Sequence, residues 1–238
     1  MSEQVTGRHF LPLLQPAQAQ KHVTVNESLL RLDGLVNLVL QSAGSGQPPA
    51  VVEGECWWVP PGAVDAWAGQ EGRIAIGANG GWVFATPQRG QRAFLRDRGA
   101  VAVWDGQQWL GGALTLGLWG GGISAGILEA EVSLGAGAVV ATGVMIPSHV
   151  LVFGVTARVV EPISGTLGAW ALGVEGAADR YGSGLGLGVN SWSQGLLSAP
   201  MAVWAPEELL LTASGGAFAG GRLRLAVHYL ALRLPDAV

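Results

Sequence analysis

Hydrophobic positions along this chain follow three successive spacings. Val25, Leu29, Leu32, Val36 and Val39 are separated by steps of four and three, which places them on one helix face as a short heptad-like seam. Thr24-Val25-Asn26-Glu27 precedes most of the seam with a capping-box pattern, in which a hydroxyl accepts from a first-turn amide and a glutamate reaches back. Gly44, Gly46, Pro48 and Pro49 then break any regular element. The pattern predicts a helix over residues 25–41. Arg31 and Asp33 fall on its solvated side, and Lys21 and His22 in an extended or loosely helical lead-in.

Beyond residue 50 the period drops to two. IAIGANGGWVF and VAVWDGQQW each run from an alternating strand into Asn79-Gly80 or Asp105-Gly106, with a tryptophan soon after. Both dipeptides suit the positive φ angles of a type I′ hairpin turn. They predict a small antiparallel module over residues 51–110, closed by Trp57, Trp58, Trp67, Trp82, Trp104 and Trp109. Large indoles fill the core of so small a module. The competing reading presents them to sugar rings, but a tryptophan that follows a turn is more often packed than presented. The stretch LGGALTLGLWGGGISAGIL has little periodicity and predicts a glycine-rich connector over residues 111–130.

Residues 131–238 alternate throughout. VLVFGVTARVVEPI, GTLGAWALGV and GRLRLAVHYLALRL read as strands at a spacing that suggests a β-sandwich of jelly-roll type. In the last of these, Leu223, Leu225, Val227 and Tyr229 share one phase. Leu230, Leu232 and Leu234 take the other, which predicts a bulge or a strand buried on both sides. Pro206-Glu207-Glu208 reads as a loop or one helical turn. The fold class is therefore mainly β, with a short N-terminal helix, a Trp-rich β module and a C-terminal sandwich. An N-terminal arm and attachment helix occupy residues 1–50.

Composition narrows the function. Only 13% of the residues are charged, against about 25% in an average domain, and 38 are glycine. A surface so poor in charge suits close packing against other copies of itself. The net charge of -4 leaves no basic stripe for phosphates, so no nucleic-acid partner is expected. The opening MSEQVTGRHFLPLL does not read as a secretory signal. The long uncharged runs are broken by glycine and proline, which predicts strands rather than membrane-spanning helices. Cys56 is the one cysteine, so no intrachain disulfide forms.

Leu11-Pro12, the run Gln18-Ala19-Gln20-Lys21-His22-Val23-Thr24, Asn26-Glu27, Leu32-Asp33 and Leu35-Val36 together carry a resemblance. They resemble the opening signature of a family of uncharacterised domains in structural proteins of alphaproteobacterial phages. The same domain appears in head-spike and fibre proteins of gene transfer agents, which are phage-like particles. The likeness covers residues 8–110, and IPSHVLVFGVTARV, DRYGSGLGLG and LTASGGAFAGGRLRLAVHYL look like the C-terminal domains that follow the signature. It implies a homo-oligomeric spike or fibre subunit, a trimer or a pentamer, made in the cytoplasm and released with the particle. Lys21, His22, Asn26, Leu29, Leu32 and Val36 would serve assembly with itself or with other capsid or spike proteins. The C-terminal domain would bind host surface polysaccharide. The resemblance carries no catalytic residue.

Candidate chemistry is sparse. Glu129 and Glu131 share a strand face side by side, whereas glycosidase carboxylates flank the scissile bond. His9, His22, His149 and His228 are scattered, without the spacing of a zinc site. The run GSGLGLG over residues 182–188 fails the dinucleotide and P-loop patterns. No metal, cofactor or enzymatic activity is expected. Binding is expected in two turn-rich segments, Asp179-Arg180-Tyr181 and Asn190-Ser191-Trp192, where side chains are presented rather than buried. A capsule depolymerase and a purely structural vertex or adaptor protein are the alternatives.

Overall fold

The computed structural model describes residues 4–14 and 21–237. The chain divides into two compact units, Met1–Leu116 and Gly117–Val238.

In the first unit the helix α1 spans Lys21–Leu35, so it starts and stops earlier than its hydrophobic spacing predicts. Thr24 lies inside the helix, and Glu27 pairs with Arg31 one turn on at 2.8 Å instead of closing a capping box. Lys21 and His22 form the first turn and no extended lead-in. Val25, Leu32 and Val36 of the expected seam are exposed, whereas Leu30, Asp33 and Gly34 are buried. The buried face is selected by what the helix packs on. A Cβ on Gly34 would lie 2.8 Å from Ile76 Cγ2 and 3.0 Å from Cys56 Sγ, so only glycine lets the helix approach the sheet this closely.

That sheet has seven strands: β1 (Val39–Leu40), β2 (Cys56–Trp58), β3 (Ile74–Ala78), β4 (Gly81–Ala85), β5 (Arg92–Leu95), β6 (Ala100–Trp104) and β7 (Trp109–Gly111). Their order is β4-β3-β2-β1-β5-β6-β7. The antiparallel module has one addition. The two-residue β1, expected as the end of the helix, runs parallel to both β2 and β5 and joins two antiparallel ribbons.

The six tryptophans divide between the two faces, because consecutive strand residues point to opposite sides. Trp57 packs against Trp67, and Trp67 meets Trp82 edge-on with ring centroids 5.3 Å apart. Trp58, Trp104 and Trp109 form the second group. Both dipeptide turns form, but only one as expected. Asn79 and Gly80 have φ of 53° and 70°, as a type I′ turn requires. At Asp105-Gly106 the aspartate Oδ1 instead accepts from the backbone N–H of Gln107 and Gln108, closing a longer loop. The first unit ends in β8 (Ala113–Leu116).

The second unit holds eight strands: β9 (Gly122–Ser133), β10 (Val139–Ile146), β11 (Val150–Gly165), β12 (Ala169–Val174), β13 (Ala177–Leu185), β14 (Trp192–Val203), β15 (Glu207–Ser214) and β16 (Phe218–Arg233). One sheet reads β10-β15-β12-β13, and in the other β14, β11, β16 and β9 lie side by side in that order. β12 pairs with β13, β11 with β14, β10 with β15 and β9 with β16, all antiparallel. A single long ribbon with its tip at β12–β13 has thus been wound into two facing sheets. This is a jelly roll. Its core joins Val152, Val155, Val159, Leu223 and Val227 of one sheet to Ile146, Trp170, Leu172, Leu209 and Leu211 of the other.

Much of the expected connector over residues 111–130 is strand, because residues 122–133 alternate once they pair with β16. Glu207 and Glu208 begin β15 rather than a loop or helical turn. β16 pairs with β9 without interruption from Arg222 to Arg233, and the bulge expected near Tyr229 lies in its other ladder, on β11, where Val152 pairs with Tyr229 and Gly154 with His228. Leu230 and Leu232 simply face outward.

Candidate functional site

The opening signature builds a clasp. Residues 4–14 fold back through a Val5–Pro12 bridge onto α1. Asp33, buried and not solvated as its helix phase suggests, is the centre of the clasp. Its carboxylate accepts from the Thr6 hydroxyl at 2.7 Å and from the backbone N–H of Arg8 and His9 at 2.8 and 2.7 Å. Arg8 extends along the helix end, donating to the carbonyls of Gly34 and Asn37. One turn-pair earlier, Asn26 brackets Leu14, accepting from its N–H at 2.8 Å and donating to its carbonyl at 3.0 Å. Asn26 and Asp33 therefore hold the arm to its own helix. Leu29 and His22 are half-buried, and Leu32 and Val36 are exposed. The side chain of Lys21 lies outside the described residues, as do residues 15–20.

Behind the clasp, Cys56 lies 3.3 Å from the Gly34 carbonyl. Burial pushes its thiol up to about 12, which removes it from nucleophilic chemistry at neutral pH.

In the second unit, the two expected binding segments part company. Asp179, Arg180 and Tyr181 lie within β13, not in a presented loop, because glycine-rich strands with shifted register replace the turns their composition suggests. Arg180 pairs with Glu207 at 2.7 Å, and Asp179 is exposed. Tyr181 is buried in the core, where desolvation raises the pKa of its phenol. Its carbonyl accepts from the Ser193 hydroxyl at 3.1 Å. A Cβ on Gly195 would come within 2.1 Å of that same carbonyl, so a glycine there permits β13 and β14 to touch. Asn190 occupies a turn with φ of 67°, and Ser191 closes it by donating its N–H to the Gly188 carbonyl. Trp192 opens β14 and is 62% exposed.

Strand register shows what surrounds Trp192. On the outer face of the β14-β11-β16-β9 sheet, Trp192 is paired with Arg158, Arg158 with Arg224, and Arg224 with Glu131. The adjacent row is Gln194, Thr156, Ala226 and Glu129. Together these rows, Glu131 apart, line an open groove of about 520 Å³. Arg224 Nε donates to Glu131 at 2.9 Å, and Arg222 bridges Glu131 and Glu161. The Arg224 hydrogen bond holds the Glu131 carboxyl below the usual carboxylate range. Arg158 is exposed and has no carboxylate partner among the described residues. The His228 ring nitrogen Nε2 lies 3.1 Å from the Thr156 hydroxyl at the edge of the groove.

The arrangement offers one flat aromatic face beside a free guanidinium, an amide and a hydroxyl. It is shallow and lies across four strands, a shape suited to an extended ligand. Sequence reasoning found Trp192 but missed Arg158, Thr156, Gln194 and Arg224. The alternation of β11 and β16 puts these on the outer face, yet only the register reveals which of them are neighbours. Among the described residues no cluster of metal-ligating side chains occurs, and no helix is long and apolar enough to cross a membrane.

Residues 25–110 match the family described as "Protein of unknown function (DUF2793)". The DUF2793 match takes in α1 from Val25 onward and the Trp-rich sheet to Leu110, and leaves the arm residues 4–14 and the jelly roll outside. No curated protein matches the chain. A solved structure described as "Cyanophage Pam1 capsid asymmetric unit" aligns with 48% of this chain and 87% of its own, at 19% identity and a TM-score of 0.34. That likeness is too slight to bear on function.

Proposed function

We propose that this chain is a homo-oligomeric structural subunit of a phage-like particle, of the head-spike or fibre type found in gene transfer agents. It binds host surface polysaccharide through the outer face of its jelly roll. The observation that carries the reading is the row Trp192–Arg158–Arg224–Glu131, an exposed indole in register with charged side chains on an open sheet face. A pyranose ring stacks on the indole while Arg158, Thr156 and Gln194 hydrogen-bond its hydroxyls. The jelly roll supports this reading as an architecture shared by capsid and lectin domains, which is an argument by analogy. The opening signature supports the particle context.

An open groove with one aromatic platform binds each sugar weakly. Many copies on one particle raise avidity without any new contact. Binding rather than cleavage fits the carboxylates. Glu131 is held ionised by Arg224, which unsuits it as a general acid, and Glu129 stands beside it on the same strand, not across a bond.

The test is binding of the purified chain to isolated capsular polysaccharide, followed by measurement of polymer length. Saturable binding with intact polymer, weakened by Trp192→Ala and by Arg158→Ala, is the expected result. Shortened polymer would make the protein a depolymerase. Absence of binding at high concentration would leave a structural subunit without a glycan ligand.

A further inference from the structure

The outer face of the β14-β11-β16-β9 sheet has two halves of opposite character. Beyond the polar rows, the next three rows carry Ile127, His228 and Leu196, then Ala125, Leu230, Leu151 and Ala202, then Ile123 and Leu232. None holds an Asp, Glu, Lys or Arg. Trp204 and Leu234 extend this half, and with His149 and Leu151 they line a second, apolar groove. Leu196 is 74% exposed, Leu232 71%, Leu234 82% and Trp204 76%. From these fractions the half presents roughly 700 Å² of apolar surface, more than a monomer normally leaves in one patch and close to the share of about 800 Å² that one partner gives a stable interface.

We infer that this apolar half is the surface through which two copies of the chain associate. The inference rests on the homo-oligomeric reading above and names its interface. An uncharged patch excludes a partner recognised by charge. Anionic membranes recruit clustered basic flanks; here Arg158 and Arg224 stand two rows away in a half that also carries Glu129 and Glu131, and Arg233 at the end of β16 pairs with Asp236. An apolar partner surface of matching size is available on every other copy, and a two-fold arrangement pairs the patch with itself, which makes the unit of association a dimer and not the trimer or pentamer that the opening signature implies. The same sheet then divides its work. The apolar half is covered by the neighbouring subunit, and the Trp192 half stays open.

The exposed seam of α1 is the competing surface, so the test compares the two. The association of the full-length chain is measured by sedimentation across the micromolar range for wild type, Leu232→Lys/Leu234→Lys, Ile127→Lys, Leu32→Lys and Trp192→Ala. Wild type should associate, and the double variant and Ile127→Lys should each weaken association, the double variant by about 100-fold or more. Leu32→Lys and Trp192→Ala should leave it unchanged. Each substituted side chain is exposed, and unchanged circular dichroism checks that the fold is kept. A monomeric wild type would overturn both the oligomeric reading and this interface. An associated wild type that resists both strand variants, or that dissociates with Leu32→Lys, would overturn the interface alone.

Discussion

The chain carries ten tryptophans, and its two units treat them in opposite ways. In the first unit Trp57, Trp58, Trp67, Trp82, Trp104 and Trp109 form two packed groups, one on each face of a single sheet. In the second unit Trp170 is buried, with its indole donating to the Gly186 carbonyl at 2.9 Å, while Trp119, Trp192 and Trp204 stand in solvent. Local sequence does not separate the groups, since each lies in or beside a short alternating run. The difference is architectural. Both faces of the first sheet carry a hydrophobic cluster, so an indole on either side has something to pack against. In a jelly roll only the inner faces meet, and an indole on an outer face is presented.

The contrast is broken most directly at Trp67. Trp67→Ala should cost about 4 kcal/mol in denaturant unfolding, as a fully buried aromatic truncation does. A loss below about 1 kcal/mol would mean the cluster is not a core. Asp33→Ala comes next, at about 3 kcal/mol, because it strands the Thr6 hydroxyl and two backbone N–H groups in a buried site. Proteolysis of the arm residues should accelerate in the same variant. Trp192→Ala should change stability by no more than about 0.5 kcal/mol while lowering polysaccharide binding about tenfold. If it unfolds the jelly roll instead, the indole is structural and the comparison fails.

Two smaller effects depend on pH. Cys56 has its pKa raised, so its contribution to stability is complete below the ordinary thiol value and declines as pH rises from there to about 12. A thiol reagent should label the native protein slowly and the unfolded chain at once. Glu131 has its pKa lowered, so the contribution of its pairing is present above the ordinary carboxylate value and lost as pH falls through the lowered one. Arg224→Ala should move the Glu131 titration upward when followed by NMR, with little effect on unfolding, since the group is exposed.

Strand existence was legible from alternation, because period two needs no knowledge of the partner. The jelly roll and the helix were legible in kind. Their limits were not: the α1 seam misplaced the buried face because Gly34, a residue with no hydrophobicity, lies against Ile76 and Cys56 of the sheet. Asp33 looked solvated because its partners lie about 25 residues upstream. Glycine in residues 177–188 signalled turns where the structure has a bulged strand, which hid Tyr181 in the core.

Sequence by itself determined the mainly β character, the helix near the start, the packing role of the six clustered tryptophans and the poverty of charge. These follow from composition and short-range period. Tertiary structure alone decided that Arg158 and Arg224, 66 positions apart, stand beside each other and Trp192, and that polar and apolar rows share one outer face. Register between strands distant in sequence sets such neighbours, and that register is fixed by the core on the other side of the sheet.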